Sequence, residues 1–347
     1  MIPAITIFSV FVLAAVLLLL KQRDANQEQR TFSILIACRD EEDNIPGLIT
    51  SLSKINYPQN MFQVIIVDDA SSDNTWQLLL KHTASLPNFQ VYRLPEKSAE
   101  YKGKKAALKL AAEQAEYDYL LYTDADCLLP GDILNSYSSL LIDGIDAVIG
   151  WYITKNATPV QRIIDISSGV TFALTSRLGM PFSASGMNWV LRREAFFEVG
   201  GYEKIKDKIA GDDKLLLLLV KTLGRKIIFN HRCPVETVLP AGANTQRLLR
   251  KYGKFASSPP AIKLSMLLIF AFYIYLPCQM VGQGFEIGYI YLSGLLLLWM
   301  IVLLHFKLKF KFTDPIILVI LPYLIGYFVL RGSLGNWEWK GQKQKES

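Results

Sequence analysis

The chain has 347 residues, of which 51% are hydrophobic, with a formal net charge of +6 and a mean hydropathy of +0.24. Its composition is too apolar for an ordinary soluble enzyme, and at 20% charged residues it is too polar for a pure membrane bundle. No compact basic face interleaved with aromatic residues stands out, so a nucleic-acid partner is not expected.

The chain opens with an uncharged apolar stretch from Ile2 to Leu20. A spanning helix needs about 20 apolar residues, which this stretch supplies. A cleaved signal peptide would have a basic start and a shorter apolar core. The start Met1-Ile2-Pro3 has no basic side chain, and Lys21 and Arg23 follow the core. We therefore expect an uncleaved anchor over residues 1–20.

Residues 21–260 have the pattern of one globular α/β domain. Short apolar strand-like segments alternate with helical ones, which predicts a doubly wound, mostly parallel sheet of Rossmann-like type. Strands are expected at 31–38, 62–67, 89–94, 117–123, 147–152 and 226–230. Helices are expected at 44–52, 76–83, 102–116, 131–141 and 214–222, the first two with polar caps at Asn44 and at Ser71–Thr75.

Three of the predicted strands end in carboxylates. Asp40 follows the first, Asp68 and Asp69 the second, and Asp124 and Asp126 the fourth. The carboxyl ends of parallel strands share one edge of the sheet, where ligands of α/β proteins bind. So much negative charge at one edge calls for a cation, and Mg²⁺ or Mn²⁺ prefers such oxygen ligands together with substrate phosphates.

A cation of the chain itself is expected near the same edge. Lys104 follows Gly103 at the start of the predicted helix 102–116. The free backbone N–H groups of a helix start suit an anion. Lys104 is equally well explained as an exposed helix lysine, so its role stays open from sequence alone.

Further apolar segments follow the globular part. Leu264–Phe285 has no charge, Ile287–Phe306 has only His305, and Pro315–Leu330 is uncharged but short. The first two are expected to span a membrane, whereas the third either spans nearly upright or lies in the interface. The predicted plan is therefore an anchor at 1–20, a catalytic domain at 21–260, transmembrane or interfacial helices at 261–331 and a polar tail at 332–347.

Basic residues flank the predicted spans on the side of the globular domain. They are Lys21, Arg23 and Arg30 after the first span, and Arg247, Arg250, Lys251, Lys254 and Lys263 before the second. The positive-inside rule then predicts a multi-pass protein of the inner membrane with a cytoplasmic catalytic domain. A cytoplasmic domain would keep Cys38, Cys127, Cys233 and Cys278 reduced, and their spacing is not that of a metal site.

Several motifs in order resemble those of the family 2 glycosyltransferases, which have a GT-A fold. They are V-D-D-A-S-S-D-N-T at 67–75, G-K-K-A-A-L at 103–108, D-A-D at 124–126, S-G at 185–186 with R-R-E-A-F-F-E-V-G-G-Y at 192–202, and G-D-D at 211–213. The resemblance runs from about residue 32 to residue 258. It implies transfer of a sugar from a nucleotide-diphosphate donor, with UDP as the expected nucleotide, to a lipid-linked or glycan acceptor in cell-envelope synthesis.

The resemblance also implies a role for each matching residue. Asp69 would bind the nucleotide base in a pocket lined by Ala37 and Asp40. Asp124 would face the ribose or the metal, and Asp126 would ligate Mg²⁺ or Mn²⁺ directly. On the acceptor side, Gly186 and Asp212 would line the site and Asp213 would be the catalytic base of an inverting displacement. Asp212 and Asp213 could exchange roles, and Asp73 is better explained as a cap.

One stretch departs from the processive members of the family. These have a Q-x-x-R-W segment before the second membrane block, where this chain has Lys251-Tyr252-Gly253-Lys254-Phe255. A lysine does not reproduce the planar donor fork of arginine. We therefore expect single transfers to an acceptor at the membrane lipid surface. The alternatives are a processive polysaccharide synthase and an inactive nucleotide-sugar-binding scaffold.

Overall fold

The computed structural model describes residues 2–20, 29–142, 144–208, 211–238 and 286–334, with separate residues between 248 and 275 and short pieces at 338–339 and 342–343. The chain divides into two compact units. Residues 20–155 and 165–238 form the first, here called the sheet unit. Residues 1–19, 156–164 and 239–347 form the second, here called the helical unit.

The sheet unit is built on a mostly parallel central sheet, as predicted. Its strands are β1 Phe32–Cys38, β2 Phe62–Asp68, β3 Phe89–Arg93, β4 Tyr119–Asp124, β6 Ile145–Ile149, β8 Trp189–Arg192 and β9 Lys226–Phe229, in the order β3-β2-β1-β4-β8-β6-β9. β1 pairs in parallel with β2 and β4, and β2 in parallel with β3. β8 runs antiparallel to both of its neighbours.

A small second sheet lies at the end of β4. It consists of β5 Cys127–Leu128, β7 Tyr152–Thr154 and β10 Val235–Thr237, in the order β5-β10-β7. Thr237 pairs with Cys127 in this sheet. The pairing brings the chain after β9 back to the acidic end of β4, directly beside Asp126.

Each helix predicted for the sheet unit is present, including the one expected at 214–222. The helices of this unit are α2 Ile45–Leu52, α3 Thr75–Thr83, α4 Lys105–Glu113, α5 Ile133–Ser138, α7 Arg193–Glu198 and α8 Asp212–Lys221, with 3₁₀ turns at Gln59–Met61 and Glu203–Ile205. The sequence did not predict α6, Pro159–Arg177, the first turns of which belong to the helical unit. It did not predict α7 or β8 either.

The core of the sheet unit follows from the apolar runs in its central strands. Ile34 and Ile36 of β1 and Val64 and Ile66 of β2 are fully buried. Parallel strands covered on both faces need such runs. Each side chain of this size contributes about 1.5–3 kcal/mol on full burial. This rigid centre holds the acidic strand ends in place.

The predicted cap at Asn44 is wrong. Asn44 has helical backbone angles and makes no side-chain cap hydrogen bond. Its Nδ2 instead donates to Glu41 Oε2 at 2.7 Å. The start of α3 does have side-chain caps: Asp73 Oδ1 accepts the N–H of Thr75 at 3.0 Å, and Glu42 Oε2 accepts the N–H of Asn74 at 3.0 Å. Asp73 is thus a capping residue, as the sequence suggested.

Gly150 lies where a side chain has no room. A Cβ there would lie 2.3 Å from Tyr137 Oη and 2.6 Å from Asn188 Nδ2. Both side chains are buried, and the Tyr137 hydroxyl donates to Asn188 Oδ1. We expect Gly150→Ala to lower the free energy of unfolding by about 1–3 kcal/mol through overpacking. Chemical unfolding of the full chain in detergent measures the change.

Gly47→Ala is the matched control for Gly150→Ala. Its Cβ would meet only Leu128 Cδ2, at 3.4 Å, and alanine favours the helix α2 by up to about 1 kcal/mol. We expect the control to unfold at or above the denaturant concentration of the parent. Equal stability of the two variants would contradict the predicted overpacking.

The helical unit contains long apolar helices. They are α1 Ile2–Leu19, α9 Glu286–His305 and α10 Asp314–Leu334. Gly294 of α9 allows close approach of α1, because a Cβ there would lie 2.7 Å from Phe11 Cδ2. By length and composition, Gly288–His305 and Asp314–Arg331 can each cross a membrane. The expected span at 264–285 lies largely outside the described residues, and the number of spans stays a prediction.

Candidate active site

The loop after β2 is held in shape by a buried carboxylate. Asp68 Oδ1 accepts the N–H of Ser71 at 3.1 Å, and its Oδ2 lies 3.1 Å from Nε of Arg93. Ala70 takes a positive φ of 55° within this turn. Asp68 therefore stabilises the loop. The next residue, Asp69, is a second buried acid at this strand end.

Two of the residues predicted to line the nucleotide pocket lie at the end of β1. Ala37 is in register with Asp124 of β4. Asp40 has a positive φ of 50°, and its Oδ1 accepts hydrogen bonds from both the N–H and the hydroxyl of Ser72, at 2.8 and 3.0 Å. Asp40 thus has a clear structural part in joining the loops after β1 and β2.

Basic side chains that the sequence did not single out lie near Asp69. Burial, and then the charge of Arg39, lowers the pKa of Lys97, while the Asp69 carboxylate opposes this shift. Arg39 itself approaches Asp40, with Nε 3.6 Å from Oδ2. This edge of the sheet therefore offers two cations beside its carboxylates, a suitable setting for a phosphorylated ligand.

Lys104 connects two acids that are far apart in the sequence. Its Nζ donates to Asp124 Oδ1 and lies 3.4 Å from Asp212 Oδ2. Burial alone would lower the pKa of Lys104, but Asp124, Asp212 and Asp213 together raise it above its ordinary value. Lys104 therefore stays charged and brings the end of β4 next to the start of α8.

Asp213 is held by two backbone donors. Its Oδ2 accepts the N–H of Gly186 at 2.8 Å, and its Oδ1 accepts the N–H of Lys214 at 2.7 Å. Asp213 lies in the first turn of α8, after Gly211 with a φ of 88°, where the helix dipole favours a negative charge. A Cβ on Gly186 would lie 3.3 Å from Lys104 Nζ and 3.6 Å from Asp213 Oδ2. Gly186 thus lets the backbone come close to both groups.

The turn that contains Gly186 is anchored in the core. Asn188 donates its N–H to Ser185 O at 3.0 Å, and its side chain is fully buried. Its Nδ2 donates to Trp151 O at 2.7 Å, and its Oδ1 accepts the hydroxyl of Tyr137 at 2.6 Å. The position of the Gly186 N–H, and with it that of Asp213, is therefore fixed by buried hydrogen bonds.

A buried lysine that the sequence did not single out joins two loops of this site. Lys105 is 1% exposed, and its Nζ donates to the carbonyls of Lys102, at 3.0 Å, and of Lys208. The N–H of Lys102 in turn donates to Lys206 O at 2.7 Å. The loop before α4 is thereby tied to the chain that leads into α8.

Asp126, two residues after Asp124, contacts the second sheet. Its Oδ2 accepts the hydroxyl of Thr237 at 3.3 Å, and its carbonyl accepts the N–H of Val238 at 2.8 Å. Among the described residues, no group of three or more His, Cys, Asp or Glu side chains could hold a metal ion. Mg²⁺ commonly needs only one or two carboxylates when substrate phosphates complete its shell. The part-exposed oxygens of Asp124 and Asp126 fit that kind of site.

Two further predictions have different outcomes. Cys38, Cys127 and Cys233 are free thiols, as expected, whereas Cys278 lies outside the described residues. The stretch at 251–257, on which the expectation of single transfers depends, also lies outside them. The expectation of single transfers therefore rests on the sequence of this stretch.

Residues 33–200 match the family described as glycosyl transferase family 2. The match contains all the predicted donor-side residues, namely Ala37, Asp40, Asp69, Lys104, Asp124 and Asp126, and also Gly186. It ends before Asp212 and Asp213. The roles of these two acids therefore depend on the motif resemblance and on their contacts with Lys104 and Gly186.

Two curated relatives match only part of the chain. Poly(ribitol-phosphate) beta-N-acetylglucosaminyltransferase TarS of Staphylococcus aureus (strain Mu50 / ATCC 700699) is 30% identical over 110 residues, 32% of this chain and 18% of that protein. Poly-beta-1,6-N-acetyl-D-glucosamine synthase of Staphylococcus epidermidis is 30% identical over 118 residues, 33% of this chain and 26% of that protein. The similarity thus spans about a quarter or less of these relatives.

A solved structure resembles the chain over most of its length. The mannosyltransferase PcManGT of Pyrobaculum calidifontis, in complex with GDP-Man and Mn²⁺, aligns with a TM-score of 0.57, covering 95% of this chain and 94% of that one. At 16% sequence identity, this likeness shows the fold alone. The similarity to glycosyl transferase family 2 is therefore established for residues 33–200, and this segment lies in an α/β unit with a GT-A-like fold.

Proposed function

We propose that this protein is a membrane-anchored, inverting glycosyltransferase that moves a sugar from a UDP-linked donor to a membrane-associated acceptor. The main support is the contact of Lys104 with both Asp124 and Asp212. Through it, the acid assigned to the donor side and the acids assigned to the acceptor side belong to one site. A transferase needs both substrates at such a site.

The donor-side residues would bind and orient the nucleotide sugar. Asp69 would accept hydrogen bonds from the base, and Arg39 and Lys97 would add positive charge nearby. Asp124 and Asp126 would hold Mg²⁺ or Mn²⁺, which as a Lewis acid stabilises the departing nucleotide diphosphate. Lys104 would keep Asp124 in place.

On the acceptor side, Asp213 would act as the general base. It would accept the proton of the acceptor hydroxyl as that oxygen forms its bond to the anomeric carbon. The bond from that carbon to the nucleotide diphosphate breaks on the opposite face, so the anomeric centre is inverted. The N–H groups of Gly186 and Lys214 orient the Asp213 carboxylate for this step.

The names of both relatives refer to N-acetylglucosamine, which makes UDP-N-acetylglucosamine the first donor to test. The full chain, purified in detergent, is incubated with UDP-N-acetylglucosamine, UDP-glucose, UDP-galactose and GDP-mannose in the presence of Mn²⁺. Release of nucleotide by slow hydrolysis is then measured. We expect UDP-N-acetylglucosamine to be hydrolysed fastest.

The outcomes of the donor panel separate the proposals. Fast release from another donor would correct the sugar, and donor binding without any turnover would support the inactive scaffold. A protein that neither binds any of these donors nor releases nucleotide from them would contradict the proposed function.

A processive synthase is the second candidate, because one of the relatives is named as the synthase of a polymer. Single transfer and polymerisation differ in product length. We expect membranes supplied with labelled donor to yield products extended by one sugar, as resolved on a gel. A ladder of long products would assign the protein to the processive class.

A further inference from the structure

The segment that joins α9 to α10 alternates apolar and basic residues. Phe306, Leu308, Phe310 and Phe312 are interleaved with Lys307, Lys309 and Lys311. All three lysines are exposed. Phe310 is 43% exposed and Phe312 is 91% exposed, with their ring centroids 5.7 Å apart in an edge-to-face arrangement. An aromatic pair is thus presented outward among three positive charges. This surface, residues 307–312, is called the Lys-Phe surface below.

The backbone of the Lys-Phe surface is braced by a buried acid. Asp314 is 1% exposed, and its Oδ2 accepts the N–H of Lys311 and the indole N–H of Trp299, both at 3.2 Å. Its Oδ1 accepts Nη1 of Arg162 at 2.5 Å, and Nη2 of the same guanidinium donates to Lys309 O at 2.6 Å. The two phenylalanines are therefore exposed on a fixed support within the helical unit.

The surroundings of the Lys-Phe surface are apolar. Leu304, before the segment, is 72% exposed, and Ile316, after it, is 66% exposed. The segment also joins α9 to α10, which among the described residues are long and apolar enough to cross a membrane. Phenylalanine and leucine side chains that lie beside basic residues enter the boundary between headgroups and acyl chains, and lysines are attracted to anionic lipid. These properties fit a lipid surface better than a soluble partner.

We propose that the Lys-Phe surface binds the headgroups of anionic phospholipids. Phe310 and Phe312 enter the boundary of the acyl chains, and Lys307, Lys309 and Lys311 face the lipid phosphates. The surface is independent of the sugar-transfer chemistry, because none of its residues belongs to the sheet unit.

The test is a titration of the full chain in detergent with two short-chain lipids. Dioctanoyl phosphatidylglycerol carries the anionic headgroup, and dioctanoyl phosphatidylcholine is its neutral counterpart. Thermophoresis of the labelled protein gives both dissociation constants. We expect the anionic lipid to bind about tenfold more tightly, and the triple variant K307Q/K309Q/K311Q to lose that preference. The double variant F310S/F312S is expected to weaken the binding of both lipids.

The control is K54Q/K81Q/K221Q, which makes the same change in charge at three exposed lysines of the sheet unit. It should keep the preference for the anionic lipid. The proposal would be overturned if the control lost the preference for the anionic lipid to the same extent. It would also be overturned if K307Q/K309Q/K311Q kept that preference.

Two further measurements make the result specific. Donor hydrolysis by K307Q/K309Q/K311Q should stay within about twofold of the parent, since such surface changes leave the fold intact. This measurement separates the lipid proposal from the proposed function.

A fluorescent single-stranded oligonucleotide tests the other polyanion that lysines and aromatic rings can bind. Tight oligonucleotide binding at physiological salt that this variant abolishes would assign the surface to nucleic acid and overturn the lipid proposal.

Discussion

Replacement of Asp213 by asparagine is expected to lower the turnover of sugar transfer about a thousandfold, within the range that general-base catalysis contributes. Asparagine keeps the shape of the side chain, and its amide oxygen can still accept one of the two hydrogen bonds from Gly186 and Lys214. An amide, however, cannot take the proton of the acceptor hydroxyl. Initial rates with the donor chosen by the hydrolysis panel measure the loss.

The affinity for the donor separates a catalytic loss from a structural one. Asp69, Asp124 and Asp126 are unchanged in Asp213→Asn, so we expect the dissociation constant of the donor, measured by calorimetry, to stay within about threefold of the parent. A large loss of donor binding would mean that the variant disturbs the site as a whole.

Asp212→Asn is the matched control for Asp213→Asn. It removes one of the charges beside Lys104 and leaves both hydrogen bonds of Asp213 in place. We expect the turnover to fall about tenfold, because the loss of a positioning contact displaces the reacting groups slightly. If Asp212→Asn lowered the turnover a thousandfold while Asp213→Asn stayed active, Asp212 would be the base and Asp213 the positioning residue. The G-D-D motif leaves this alternative open.

The strands next to the candidate site could be predicted because their sequences are simple. Buried parallel strands need unbroken apolar runs, and such runs end in acids at Asp40, Asp68 and Asp124. The register then follows from the fold, with Ala37 opposite Asp124 and Cys38 opposite Asp68. The shared acidic edge was therefore readable from sequence alone.

Some elements after residue 145 could not be predicted, for a physical reason. β8 has four residues, and the strands of the second sheet have two or three, which are too few to show alternation. α6 mixes polar and apolar residues along its length, as in Gln161, Arg162 and Asp165. Its polar residues are partly used in contacts with distant parts of the chain, such as Arg162 with Asp314.

The partners of individual side chains were the least predictable feature. Lys104 has an ordinary sequence environment at a helix start, and only the fold shows that it contacts Asp124 and Asp212. Lys105 looked like one more helix lysine, yet it is buried against backbone carbonyls. The sequence marks Lys307, Lys309 and Lys311 only as basic residues after an apolar span. The exposure of the phenylalanines beside them depends on the turn between α9 and α10.

Replacement of Asp126 by asparagine is the second large effect that we expect. Loss of one negative charge weakens the hold on a divalent cation, so the Mn²⁺ concentration for half-maximal activity should rise at least about tenfold. At saturating donor, turnover should fall about a hundredfold or more, because the leaving diphosphate loses its Lewis acid. A metal titration of initial rates, begun from protein treated with a chelator, measures both changes.

Thr237→Val is the matched control, because it removes the hydroxyl that donates to Asp126 Oδ2 and keeps both the carboxylate and the buried side-chain volume. If Asp126 ligates the cation, this variant should need only a few times more Mn²⁺, since the hydroxyl orients the ligand but does not supply it. A parent enzyme that keeps full activity in excess chelator would exclude metal dependence altogether. Full activity of Asp126→Asn in an enzyme that the chelator does inhibit would instead assign the cation to Asp124, which Lys104 holds through Oδ1.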